Sequence, residues 1–201
     1  MKIICIGRNY SEHAKEKGAE VPKEPVFFMK PDTALLREKD FYYPTFTKDL
    51  HYECELVVKI SKVGKCIDQV FASKYYHQIG LGIDFTARDL QSECKKNGLP
   101  WEKAKSFDNS AAISEKWLDI ASLNQPINFE FFQNGELKQK SNSNEMLFNI
   151  DQVIAHVSKY ITLKIGDLIF TGTPAGVGPV AIGDILSGNI EGEKMFEFIV
   201  R

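Results

Sequence analysis

Several features that mark common protein classes are missing from this chain. No apolar run approaches the ~20 residues needed to cross a bilayer. Met1-Lys2 leads straight into a strand-like KIICIG rather than a signal peptide. Both absences predict a protein that stays where it is made, in the cytoplasm, with no membrane partner. A basic excess is missing too. With 25 Lys and Arg against 27 Asp and Glu, the net charge is −2, so nothing offers the long positive surface that tracks a nucleic acid backbone. Cysteine is sparse: Cys5, Cys54, Cys66 and Cys94 include no Cys-x-x-Cys pair, a usage that suits a reducing compartment without disulfides. The chain also has no Gly-x-Ser-x-Gly elbow and no His-Glu-x-x-His helix, and no repeat, linker or low-complexity tract.

What remains is an ordinary globular composition, 201 residues of which 43% are hydrophobic, enough for one domain with its own core. Residues 2 to 7 read as a short buried strand. The following RNYSEHAKEKG reads as one or two helical turns, capped by Asn9 or Ser11 and stopped at Gly18. Prolines around Val26 to Met29 mark an edge strand, and Ser73 to Gln78 and Gly80 to Phe85 read as a short helix and a strand. Thr86 opens a second helix, with Thr86-x-x-Asp89 resembling a capping box and Asn97-Gly98-Leu99-Pro100 ending it. Asn134-Gly135 predicts a hairpin between Asn128 to Gln133 and Glu136 to Lys140. Ile150, Val153, Ile154, Val157 and Ile161 follow helical spacing. Strands return near 167–171, 185–190 and 195–200. Strands dominate and do not alternate regularly with helices, so the pattern favours α+β over a doubly wound sheet.

The most informative segment is His51-Tyr52-Glu53-Cys54-Glu55-Leu56-Val57-Val58-Lys59-Ile60. Side chains alternate faces along a strand, so Glu53 and Glu55 point the same way, roughly 6 to 7 Å apart at the backbone. Like charges so placed repel unless they are solvated or share a cation or a proton. Asp84, at the end of an apolar strand, is a third acid. Three carboxylates suit the oxygen shell of Mg2+, with Mn2+ or Ca2+ possible on the same ligand logic; zinc would want His or Cys beside them. Cys54 falls on the opposite, apolar face as a small buried thiol.

His13 and Glu16 stand three residues apart on the first helix and share a face, either as a surface ion pair or as a base with its orienting acid. Lys105 is either an exposed lysine or a cation aimed at a developing oxyanion. Arg88 is placed to hold a substrate carboxylate or to pair with Asp84 or a neighbour, and Gln91 lies on its helix. The Gly172 to Pro179 loop is no phosphate loop, but its N–H groups and Thr173 can face an anion.

Taken in order, GRNYSEH, Phe28-Met-Lys30-Pro31, Glu53-Cys-Glu55, Asp84-Phe-Thr-Ala-Arg88-Asp-Leu-Gln91, Lys105-Ser-Phe and Thr171-Gly-Thr-Pro-Ala-Gly-Val-Gly178-Pro resemble the fumarylacetoacetate hydrolase superfamily over nearly the whole chain. Glu93-Cys-Lys-Lys-Asn-Gly-Leu-Pro-Trp101 is further similar to its acylpyruvase branch. The resemblance implies a mixed β-roll or β-sandwich with a few short helices, a bare catalytic domain over residues 1–201, and usually a homodimer. It implies Mg2+ on Glu53, Glu55 and Asp84, a His13–Glu16 dyad, Lys105 facing the reacting oxygen, and substrate contacts at Arg88, Gln91 and Thr173. The activity it implies is metal-dependent hydrolysis of C–C bonds in small β-diketo acids, with oxaloacetate decarboxylation through the same enolate. The alternatives are an oxaloacetate tautomerase or related isomerase, or a non-catalytic oxoacid-binding relative. One departure stands out: where many relatives continue to a Pro-x-Gly-Pro turn after Asp108, this chain has Asn109-Ser-Ala-Ala-Ile-Ser114.

Overall fold

The run that carries the glutamates becomes the central strand of the protein. In the computed structural model, which describes residues 1–10 and 21–201, β4 (Cys54–Ile60) is buried on both faces and pairs antiparallel with β5 (Tyr76–Asp84) on one side and β11 (Leu168–Phe170) on the other. Beyond β11 lie β1 (Ile3–Gly7), the one parallel neighbour, and β2 (Val26–Lys30) at the edge. Beyond β5 lie β7 (Ala111–Ile113) and the short β8 (Leu118–Asp119), which completes a seven-stranded sheet. The predicted edge strand is thus found, its proline-flanked ends needing no partner on the outer side.

A four-stranded antiparallel sheet packs against this one. Its order is β10 (Glu136–Asn142), β9 (Asn128–Gln133), β13 (Ile185–Ile190), β14 (Glu193–Ile199). Leu56, Ile79, Leu81 and Ile83 meet Phe129, Phe131, Leu186 and Ile190 between the layers. Gly188 permits the approach, since a Cβ there would sit 2.6 Å from Leu81. The opposite face is covered by the helix Ile150–Tyr160, whose Val153, Ile154 and Val157 pack on Ile4, Ile6, Val58 and Ile60. Each such side chain contributes about 1.5–3 kcal/mol by leaving water. A third, three-stranded sheet joins β12 (Gly178–Pro179), β3 (Leu50–Tyr52) and β6 (Thr86–Ala87). The architecture is the mixed, sheet-dominated α+β fold that the sequence implied.

The Asn134-Gly135 hairpin forms with φ of 55° and 79° at its two central residues, the left-handed pair that a type I′ turn requires. The second helix ends where expected, with Gly98 left-handed at φ 62° and its N–H on the Cys94 and Lys95 carbonyls. Its start differs. The helix begins at Arg88, not Thr86, and Ala87 at the cap gives no side-chain bond. Thr86 stays in β6, where its hydroxyl serves the site below, and Asp89 bonds Thr47 and the Lys48 N–H instead of closing a capping box. The capping box belongs to the helix Ile150–Tyr160, between Asn149 and Gln152. The expected helix at 73–78 is a 3-10 segment at Gln69–Tyr75, and β5 begins at Tyr76 because Tyr76 and Gln78 pair with Ile60 and Lys59. All four cysteines are free, Cys54 among the buried ones. Among the described residues no helix is long and apolar enough to cross a membrane. The predicted first helix, with His13 and Glu16, lies outside the described residues.

Candidate active site

Glu53 is the point at which the chain passes from one sheet to another: β3 ends at Tyr52 in the three-stranded sheet and β4 starts at Cys54 in the seven-stranded one. Its carbonyl accepts the Asp84 N–H at 2.8 Å, which fixes the end of β5 beside it. Each of the carboxylates of Glu53, Glu55 and Asp84 therefore offers a ligand oxygen within 4.8 Å of the other two. All three are buried, at 6%, 2% and 1% exposure.

Two buried lysines and the half-buried Arg88 answer two of these acids. Lys105 Nζ donates to Glu53 Oε2 and Asp84 Oδ2, both at 2.7 Å, and to Thr86 Oγ1 at 2.6 Å. Arg88 donates to Glu53 Oε1 at 2.6 Å and, through its other terminal nitrogen, to the buried Gln91 at 2.7 Å. Lys30 Nζ lies 2.7 Å from Asp84 Oδ1 and also donates to Ser110 O, Ser110 Oγ and the Lys105 carbonyl. Burial works against the charged form of Lys105, yet the Asp84 and Glu53 carboxylates outweigh it and raise its pKa. It is held as an ammonium, its Nζ also 5.2 Å from the centre of the Phe28 ring.

Glu55 is treated differently. Its Oε2 accepts the Gly172 N–H at 2.7 Å, and it forms no ion pair among the described residues. Burial first, then the Asp84 and Glu53 charges, push its pKa well above the usual carboxylate range. Of the three carboxylates, Glu55 alone has no cation of its own among the described residues, and its carboxyl is driven toward the protonated form. The donor set is all oxygen, which suits a hard divalent cation such as Mg2+, Mn2+ or Ca2+.

The loop after β11 forms the wall beside Glu55. Thr171 donates to Leu56 O and Thr173 to Cys54 O, at 2.9 and 2.8 Å, so the loop runs along β4. Gly172 sits at φ 98°, where a Cβ would be 2.8 Å from that of Asn9; Asn9 in turn holds the Thr171 carbonyl at 2.7 Å.

The structure thus gathers Glu53, Glu55, Asp84, Lys105, Arg88 and Gln91 into one cluster, with Thr173 against the same strand. Lys105 is a buried cation rather than an exposed one, and Arg88 pairs with Glu53 rather than Asp84. Sequence reasoning gave no role to Lys30, Thr86 or Ser110. A lone lysine closing the apolar Val26–Met29 run was the available signal for the first. The departing segment after Asp108 supplies Ser110 to Lys30 and then β7.

Known proteins resemble this chain over nearly its whole length. Residues 2–197 match the profile of the fumarylacetoacetate (FAA) hydrolase C-terminal family. The chain is 43% identical to the mouse protein named oxaloacetate tautomerase FAHD1, mitochondrial, covering 99% of this chain and 91% of that one. It is 39% identical to a mitochondrial oxaloacetate decarboxylase of Dictyostelium discoideum, covering 100% and 94%. The crystal structure of fumarylpyruvate hydrolase from Pseudomonas aeruginosa, in complex with Mn2+ and pyruvate, superposes with a TM-score of 0.92 at 34% identity, covering 100% of this chain and 89% of that one.

Proposed function

We propose that this chain, which belongs to the fumarylacetoacetate hydrolase family, is a metal-dependent enzyme that interconverts the keto and enol forms of oxaloacetate. The observation that carries this reading is the convergence of Glu53, Glu55 and Asp84 in a buried site that also holds Lys105, Arg88 and Lys30. With Glu55 ionised, as metal binding requires, the three negative and three positive charges of those six groups cancel. A divalent cation, Mg2+ or Mn2+, held by the three carboxylates would leave an excess of two positive charges, which a dicarboxylate such as oxaloacetate neutralises. Bound there, the cation would supply positive charge to the 2-oxo acid end of the substrate.

The remaining chemistry belongs to the chain. Tautomerisation moves one proton between C3 and the C2 oxygen, so it needs a base at C3 and a donor or cation at that oxygen. Lys105 is unsuited to be the base, because Glu53 and Asp84 keep it protonated; it serves as the cation for the oxygen that gains charge. Arg88 and Gln91, with Thr173 on the facing loop, bind and orient. The base in this reading is His13, oriented by Glu16. The reading includes a homodimer acting in the compartment of synthesis.

The names borne by relatives at about 40% identity support tautomerisation. C–C hydrolysis of acylpyruvates is the second reading, supported by the fumarylpyruvate hydrolase likeness; there His13 would activate a water, and the same Lys105 charge would serve the departing pyruvate enolate. The test strips the protein with EDTA, restores Mn2+ or Mg2+, and follows enol absorbance together with pyruvate release from oxaloacetate and from acetylpyruvate. The expected result is metal-dependent loss of enol that outpaces pyruvate release from either compound. Enol loss unchanged by metal overturns the proposal, and faster acetylpyruvate cleavage installs the second reading.

A further inference from the structure

Gln139 lies in β10, in the second sheet, yet its side chain reaches the metal-site strand. A bulge brings it there. β10 pairs Leu137 with Phe132 but Gln139 with Phe131, leaving Lys138 as an extra residue. Without that insertion Gln139 would stand opposite Glu130 on the outer face; with it, Gln139 turns inward and is 1% exposed, while Leu137 remains outside. Bulges re-aim side chains in this way beside functional sites. Gly176 lets the Thr171–Gly176 loop press on the same bulge, since a Cβ at its φ of 92° would lie 2.3 Å from the Lys138 carbonyl.

Once inside, the amide closes a ring of three hydrogen bonds around one residue. The Cys54 N–H donates to Gln139 Oε1 at 3.0 Å, Gln139 Nε2 donates to Thr173 Oγ1 at 2.8 Å, and the Thr173 hydroxyl donates to the Cys54 carbonyl at 2.8 Å. Gln139 Nε2 also reaches Pro174 O at 3.0 Å. Cys54 is the residue between Glu53 and Glu55, at the crossover between sheets. The ring therefore replaces the partner that a continuous ladder would have given its N–H. It also fixes the sense of the Thr173 hydroxyl: its proton is committed to Cys54 O, so toward a ligand it can only accept.

We infer that Gln139 is a positioning residue for this site, holding Glu53 and Glu55 at the spacing that binds a divalent cation and presenting Thr173 as an acceptor to the hydroxyl of an enol. The inference rests on the proposed metal site, and its test reads binding rather than turnover. Groups one step behind metal ligands, when removed, weaken metal binding about 10- to 100-fold. Mn2+ titration calorimetry on the full chain should show Gln139→Met weakened at least tenfold and Thr173→Val less. The double variant should be no weaker than Gln139→Met, because both substitutions break one ring. Unchanged Mn2+ affinity in a folded Gln139→Met protein, or additive losses in the double variant, overturns the inference. Wild-type protein that binds no Mn2+ overturns the metal site itself, which separates the two failures. Gln139→Glu covers the case in which Gln139→Met does not fold: it keeps an acceptor for the Cys54 N–H but donates nothing to Thr173. It should raise KM for the enol about fivefold with kcat within twofold, and a KM equal to wild type overturns the assignment of Thr173.

Discussion

Lys105→Met separates the metal site from the chemistry, because one ammonium both neutralises the carboxylates and serves the reaction. In the metal-free protein Lys105 forms two buried ion pairs, each 2.7 Å long, with Glu53 and Asp84. Removing one partner of a buried pair costs about 3–5 kcal/mol, since the other charge stays behind in low dielectric. The two losses do not double, because Arg88 still holds Glu53 and Lys30 still holds Asp84. For a chain of this length each kcal/mol moves Tm by about 2–4 °C, so Lys105→Met in EDTA should melt about 6–20 °C below the wild type. Mn2+ reverses the sign of the argument. It takes oxygens for which Lys105 no longer competes, and a ligand at about 1,000 times its Kd stabilises by about 4 kcal/mol. The wild type gains its own share of this term, so the gap closes only through tighter binding by the variant: scanning calorimetry should show a narrower gap in Mn2+ than in EDTA, with Mn2+ affinity above wild type and tautomerisation lost. Met preserves most of the buried Lys105 stem, so the EDTA gap reports charge rather than a cavity. An equal gap with and without Mn2+, or weaker Mn2+ binding in the variant, would refute the charge argument.

Glu55→Gln should abolish Mn2+ binding while stabilising the metal-free protein. Because the folded pKa of Glu55 is raised from 4.5, the native state keeps a proton that the unfolded chain has released. Stability in EDTA thus falls as pH rises from about 4.5 toward the folded value, and Mn2+ binding must displace that proton, so affinity climbs with pH. Urea melts across this range should be flatter for Glu55→Gln, and identical slopes for the two proteins would sink the assignment. Away from the site, burial alone would raise Asp184, but donors at Ala181 N, Asn134 and Gln133 outweigh it and lower its pKa below 3.8. A group so depressed stabilises above its unfolded pKa and loses that contribution as pH falls through the folded value. Asp184→Ala should cost about 1–2 kcal/mol at pH 7, with the difference from wild type shrinking below about pH 4; a pH-independent difference would point to packing instead.

Local chemistry was legible where one or two residues decide the outcome. Asn134-Gly135 dictates its turn, Gly98 dictates a helix end, and the apolar stripe from Ile150 dictates which helix face is buried, all through backbone preference or side-chain period. The carboxylate pair was legible for the same reason, since Glu53 and Glu55 are neighbours along one strand. Reading failed where a residue had two possible partners. Thr86 carries every local sign of a helix cap, yet the Lys105 ammonium 2.6 Å away outbids the helix N-terminus for its hydroxyl. Residues 76–78 carry too little apolar periodicity to be seen as strand, and it is pairing with Lys59 and Ile60 that makes them one.

Lys30 and Gln139 were hidden for a deeper reason. Each is polar at a position whose local period gives no instruction, and each acquires its role from a contact more than fifty residues away in the chain: Lys30 with Asp84 and Ser110, Gln139 with Cys54. An unpaired ammonium at Lys30, or an unpaired amide at Gln139, would cost more than an apolar side chain of the same size. Such residues are tolerated only because the site completes them, and completion runs both ways. The acids need buried cations to fold without metal, and the strand crossover at Glu53 needs an outside acceptor for the Cys54 N–H. The site is therefore assembled by the folded sheets rather than grafted onto them, and its polar network should melt with the core in a single transition when metal is absent.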